Sequence, residues 1–226
     1  MIIAIDGPAA AGKGTLARHL AETFDFAHLD TGAIYRATAK KVLDLGIDMG
    51  DEAACTEAAR QLQPADLLAD GLRDEAVGQA ASKVSAIPGV RAALLDFQRD
   101  FAKTPPDGKL GAVLDGRDVG TVVCPDADVK LFITASAEER ARRRHKELQD
   151  GGQNAIYARV LEEMKERDAR DQSRSVAPLK PADDAVIIDT SALDADAAFE
   201  KALETVRAKR PYAFPNDQIV RERTAN

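Results

Sequence analysis

The sequence predicts an α/β fold in which a five-stranded parallel sheet is flanked by helices, and three observations lead there. Short β-rich runs recur at residues 2–5, 26–29, 110–114, 129–133 and 186–188. Helical apolar spacing fills most of the intervals, the alternation that βαβ units and a parallel sheet produce. Each run also ends in a polar or glycine-bearing loop. In such sheets the loops beyond the carboxyl ends of the strands build the ligand crevice, so Asp6-Gly7, Asp30-Thr31-Gly32 and Asp115-Gly116-Arg117-Asp118 are expected on one rim.

The first strand opens the chain and runs into a glycine-rich loop, after which residues 14–23 carry helical spacing. The second strand passes directly into a helix expected over 33–45. From Gly50 to Gly89 the pattern weakens, because Pro64, Gly71, Gly78 and Pro88 interrupt short helical pieces; this stretch reads as an insertion or acceptor subdomain. A helix over 91–102 precedes the third strand. Ser136-Ala137-Glu138-Glu139 is a capping-box pattern and Gly151-Gly152 a stop, which bounds a helix over 137–149. Another follows over 156–171. The tail after Lys209, with Pro211 and Pro215, has no strong period and is expected to be partly mobile.

A chain of 226 residues suffices for one domain with its own core. The formal net charge of −7 argues against a nucleic acid polymer as partner, so any anion site must be local. Cys55 and Cys124 have neither CxxC spacing nor nearby histidines and read as reduced thiols. The amino terminus resembles no targeting segment, and no apolar run is long enough to span a bilayer; a cytoplasmic protein without membrane partners is expected.

Gly7-Pro8-Ala9-Ala10-Ala11-Gly12-Lys13-Gly14-Thr15 lies between a strand and a helix, the context a Walker A phosphate loop requires. Glycine lets the backbone curl around a phosphate, exposed N–H groups and the helix amino terminus attract its charge, and Lys13 adds an ammonium. Thr15 supplies a hydroxyl beside magnesium, one position later than usual because Gly14 follows Lys13. A glycine-rich turn with a surface lysine is the plain alternative, and the flanking elements weaken it.

Asp30-Thr31-Gly32-Ala33-Ile34-Tyr35-Arg36 turns from strand into helix, so its N–H groups and Arg36 can face a phosphate, although a capped helix alone would also explain it. Arg117 between Asp115 and Asp118 offers a planar fork with carboxylates alongside; a charged turn with an internal ion pair is the competing reading. Arg140, Arg143 and Arg144 share one helical face, and Arg167, Arg170 and Arg174 follow a second helical spacing. Solvated Glu–Arg pairing accounts for Arg142, Arg159 and Arg170 but less well for the whole arrangement beside a phosphate loop. His19, His28 and His145 have no shared spacing or clear carboxylate partner, which favours structural or surface roles. Alignment plus cationic charge is what phosphoryl transfer demands.

Together, GPAAAGKGT, DTGAIYR, DGRDVGTVV, PDADVKLFITASAEERARRR and ERDARDQSRSVAPL resemble bacterial-type cytidylate kinases across nearly the whole chain. The resemblance implies a single P-loop kinase domain over 1–226, with a monophosphate-binding subdomain at about 31–108, a helical lid at about 135–155 and a tail at about 209–226. It implies ATP and CMP or dCMP as substrates, with Mg²⁺ at Thr15, ATP phosphates and water. Gly7 to Thr15 would hold ATP, with Lys13, Arg140 and Arg144 catalytic. Thr31, Tyr35, Arg36 and Arg117 would serve the acceptor, its phosphate resting on the two arginines. Ser82, Arg91, Asp118 and Arg174 match readers of cytosine, and Arg167 and Asp171 match ribose contacts. The chain departs from the family in the short 63–71 segment, where members often carry a β-rich insertion. A monomer is expected. Adenylate kinase or another small-molecule P-loop kinase, and a regulatory nucleotide switch, remain alternatives; DGRD and SRSVAPL favour the first reading.

Overall fold

The structure, a computed structural model, describes residues 1–209. Its strands are β1 (Ile2–Asp6), β2 (Ala27–Asp30), β3 (Ala112–Gly116), β4 (Val129–Thr134) and β5 (Val186–Asp189). They form one sheet in the order β2-β3-β1-β4-β5, every neighbouring pair parallel. The helices are α1 (Lys13–Phe24), α2 (Thr31–Asp44), α3 (Glu52–Arg60), α4 (Glu75–Val84), α5 (Pro88–Lys103), α6 (Ala137–Asp150), α7 (Tyr157–Ser173) and α8 (Ala195–Lys209). Among the described residues none is long and apolar enough to cross a membrane.

The central strands are apolar on both faces because helices cover both. Strand alternation sends Ala4, Ala112 and Leu114 into a core with α2, α3, α4 and α5, and Ile3, Ile5 and Val113 into a second core with α1 and α8. A smaller cluster, built on Ala141, Leu148, Val160 and Met164, joins α6 to α7.

Boundaries moved where side chains or caps decide them. The third strand begins at Ala112, not 110; Leu110 is 88% exposed, and a Cβ at Gly111 would lie 2.6 Å from the Met1 carbonyl oxygen. Helix α2 starts at Thr31 because the Asp30 carboxylate accepts from the Ala33 N–H at 3.0 Å. Pro88, preorganised for a first helical position, opens α5 earlier than apolar spacing suggests. The weak 50–89 stretch is α3, a short 3₁₀ segment at Pro64–Leu68 and α4, with no strand. Three elements were not anticipated: a 3₁₀ turn at Pro106–Gly108, one π-helical turn at Val119–Val123 and helix α8, which buries Ala202, Leu203 and Val206. The expected tail beyond Lys209 lies outside the described residues.

Candidate active site

The phosphate loop is pressed against β4 so closely that only glycine fits its entrance. Gly7 has φ 147°, and a Cβ there would lie 1.9 Å from the Ile133 carbonyl oxygen. Ala10 and Gly12 are left-handed, at φ 56° and 93°, and no side chain caps α1. The first N–H groups of that helix are thus left to an anion. Lys13 is buried and donates from Nζ to the Pro8 carbonyl at 2.7 Å. Burial, with the positive charge of Arg117 assisting, lowers its ammonium from 10.5 to about 7 despite Asp115 and Asp6 nearby.

Thr15 is exposed on the first turn of α1 and lines the same cleft as Asp30 and Asp115. No group of three or more His, Cys, Asp or Glu side chains among the described residues could hold a metal ion by itself. A hydroxyl with carboxylates at the rim fits a hard cation that keeps waters and takes most of its ligands from a bound phosphate, which is how Mg²⁺ is usually held.

Across the cleft from the phosphate loop the rim loops lock together. Thr31 Oγ1 donates to the Asp115 carbonyl at 2.8 Å, and Arg36 Nη2 to Asp30 Oδ2 at 2.6 Å. Arg117 Nε and Ser82 Oγ both donate to Asp171, at 3.1 and 3.2 Å. Burial disfavours an ionised Asp171, but Arg117, Arg167 and Arg174 outweigh it and hold its carboxyl below the usual range. Asp118 is buried between Arg91, with which it makes a short charged hydrogen bond, and Arg174, whose Nη2 is 3.8 Å away. Its carboxyl is pushed up by burial against the pull of those arginines. Arg91 also stands over the Tyr35 ring, 5.5 Å from its centroid. Arg167 is half-buried, its enclosed Nε lacks a partner, and burial with Arg117 brings its guanidinium down to about 10. An enclosed donor without an acceptor suits a polar ligand.

The arginines of α6 divide. Arg140 is buried and forked onto Asp168 at 2.6 and 3.1 Å, with further bonds to the Ala135 and Ala9 carbonyls. Arg144 lines the cleft and pairs with Glu75 at 3.0 Å and Glu147 at 3.1 Å. Arg143 also lines it, donating to the Thr190 carbonyl at 2.7 Å. Arg142 and Arg159 make the solvated glutamate pairs expected of them. Arg170 does not stop at Glu166, since it also donates to Gln79 Oε1 at 2.5 Å and faces Ser82.

Lys13, Thr15, Arg143, Arg144 and the interlocked rim residues border one cleft of about 480 Å³, within the size range of small-ligand sites. Every expected acceptor-side residue lines it, and so do Ala9, Ala10, Gly12, Lys13, Gly14 and Thr15 of the phosphate loop. Gly7, Pro8, Ala11 and Arg140 are not among its lining residues. Residues that sequence reasoning did not single out include Gln79 and Ser85, both on the cleft, which Arg143 of the expected α6 arginine face also lines. Gln79, Ser82 and Ser85 carry a signal in hindsight, the three-residue spacing of one helical face. Asp168, the partner of Arg140, carries none.

The family model described as cytidylate kinase matches residues 3–208. The cytidylate kinase of Paramagnetospirillum magneticum is 65% identical over 92% of this chain and 99% of its own length. Those of Methylocella silvestris and Rhodospirillum rubrum are 58% and 57% identical, each over 92% of this chain, covering 94% and 98% of theirs. A crystal structure of an uncharacterized protein from Eubacterium ventriosum superposes over 92% of this chain and 99% of its own with a TM-score of 0.51, a likeness of fold alone at 16% identity.

Proposed function

The chain belongs to the cytidylate kinase family, and from that membership we propose that it transfers the γ-phosphoryl group of ATP to CMP or dCMP, giving ADP and CDP or dCDP. The observation that carries the reading is the single cleft, with a phosphate loop at one end and Ser82, Arg91, Asp118 and Arg174 at the other. ATP phosphates rest on backbone N–H groups of the 7–15 loop and on Lys13, whose amine takes up a proton beside that charge. The acceptor phosphate rests on Arg36 and Arg117. Cytosine presents an exocyclic amine and ring acceptors; Asp118 accepts from the amine, and Ser82, Arg91 and Arg174 donate to the acceptors. Asp171 and Arg167 take the ribose.

Transfer then depends on alignment and on positive charge around the moving phosphoryl group. The Thr15 hydroxyl would help to hold Mg²⁺ beside the ATP phosphates, where the ion would supply neutralising charge. Arg144 joins Lys13 at the transferring group, and Arg140 follows if closure of the 135–155 lid releases it from Asp168. Lid closure excludes water and favours the nucleotide over hydrolysis. Residues 31–108 act as the acceptor subdomain. We place the enzyme in the cytoplasm as a monomer; its two cysteines, free and buried, suit a reducing compartment. An ADP-release assay across CMP, dCMP, UMP, AMP, GMP and no acceptor tests this reading. Turnover is expected with CMP and dCMP; equal turnover with AMP, or none above the acceptor-free rate, would overturn it.

A further inference from the structure

The last residue of β1, Asp6, is 4% exposed, and its carboxylate accepts two backbone hydrogen bonds from a distant part of the chain. The Val119 N–H reaches Oδ1 and the Gly120 N–H reaches Oδ2, each at 2.7 Å. Those amides follow directly on Arg117 and Asp118. The sheet fixes the near side of that pair, because Asp6 is also the register partner of Gly116. One residue therefore grips the Arg117–Asp118 segment at both ends. The fit is close: a Cβ at Gly120 would lie 3.3 Å from Asp6 Oδ2 and 3.2 Å from Lys130 Cδ, and one at Gly116 would lie 2.4 Å from Thr31 Oγ1.

The carboxylate bears a cost that its place in a packed core does not explain. Desolvation raises it to about 6, the two N–H groups and Lys13 act against that rise, and Asp118 adds to it. An apolar residue at the end of β1 would cost less if packing were all that mattered. What only an acid can do is accept both N–H groups at once; an asparagine amide has one accepting atom and would turn its NH₂ toward the other donor.

We propose that Asp6 is a positioning residue for acceptor recognition, holding Arg117 and Asp118 in register with the phosphate loop that begins at the next residue, Gly7. This rests on the reading of the cleft as a site for ATP and a cytidine monophosphate. Asp6 touches neither substrate. Its contribution passes through the orientation of Asp118 toward the base and of Arg117 toward the acceptor phosphate, and it ties the acceptor loop to the donor loop through one side chain.

The experiment compares wild type with Asp6→Asn and Gly120→Ala in steady-state kinetics with CMP, UMP and ATP, and crosses Asp6→Asn with Asp118→Asn. For Asp6→Asn, KM for CMP should rise about tenfold, the scale of one lost charge-assisted hydrogen bond, and the CMP-to-UMP preference should narrow while KM for ATP stays within about twofold. Gly120→Ala, which crowds the same carboxylate without removing it, should move the same parameters by about threefold, and it carries the test should Asp6→Asn fail to fold. The double variant should fall short of the product of the single effects, because both act through Asp118. If the variants lower only the melting temperature, raise both KM values alike, or combine multiplicatively with Asp118→Asn, the positioning role is wrong and the kinase reading stands. A wild type without CMP-dependent turnover would instead remove the functional reading and this inference with it.

Discussion

Lys13 lies under the phosphate loop with an ammonium lowered to about 7 by burial and the nearby Arg117, so above that pH most free protein carries it neutral. Bound triphosphate opposes both effects and raises it. ATP binding at pH 8 should therefore take up close to one proton beyond the nucleotide's own, with uptake falling as pH drops below about 7, where the free lysine is already charged. Calorimetric titration in buffers of different ionisation enthalpy measures this, and Lys13→Ala should abolish the uptake while lowering kcat by about a hundredfold or more. Unchanged uptake in that variant would assign the proton elsewhere. Asp118→Ala should lower kcat/KM for CMP more than for UMP, since a polar site rejects a mismatched base through the partners it leaves unpaired, and ATP affinity should hold. Equal losses on both nucleotides would make Asp118 an orienting group without a part in base choice. Glycine-rich and arginine-bearing motifs at strand ends made the phosphate loop and the Asp30–Arg36 and Asp115–Asp118 parts of the cleft legible in the sequence, whereas Ser82, Arg91 and Asp171 were named only through the family resemblance. The partners of Asp6 and Asp168 were not legible, because they lie 113 and 28 residues away and only tertiary packing brings them together.

At the scale of elements, α6 and α7 are joined through Arg140 and Asp168 on one side, and α6 reaches α4 through Arg144 and Glu75 on the other. The proposed lid closure would trade some of these pairs for phosphate contacts. Hydrogen exchange across residues 135–155 should slow severalfold when a non-hydrolysable ATP analogue and CMP are added together, and less with either alone. Equal exchange with and without both ligands would remove the lid. Helix α8 has a structural role instead: Leu203, 2% exposed, packs in the α1 and sheet cluster, and Leu203→Ala should cost ~2–5 kcal/mol of stability by chemical denaturation. Its kcat per folded molecule should be unchanged. Every predicted strand and every predicted helix was present, because continuous β-rich runs bounded by turn residues and helical apolar spacing report burial directly. Helix α8 went unread because its buried face is short, with Ala202, Leu203 and Val206 as its only fully buried members. The 50–89 stretch was hard to read for a related reason: proline and glycine cut it into pieces too short to display a period.

Across the whole molecule, the strand order β2-β3-β1-β4-β5 sets the phosphate loop, at the end of β1, beside the Arg117–Asp118 loop at the end of β3. The Asp30–Arg36 turn at the end of β2 stands next in line. The proposed donor and acceptor sites are thus neighbours on one rim, at the point where the chain winds from one side of β1 to the other. That topology was legible as a class, from strands that alternate with helices; the order of strands was not, since pairing partners leave no mark in a single sequence. One cleft taking both nucleotides, as proposed, predicts that the γ-phosphoryl group passes from ATP to the acceptor nucleotide and not to water. The most direct measurement follows ATP labelled at its γ-phosphorus in the presence of CMP. The label should appear in the β-phosphoryl group of CDP, one for one with ADP formed. Label released as inorganic phosphate, with CMP left unchanged, would contradict that claim.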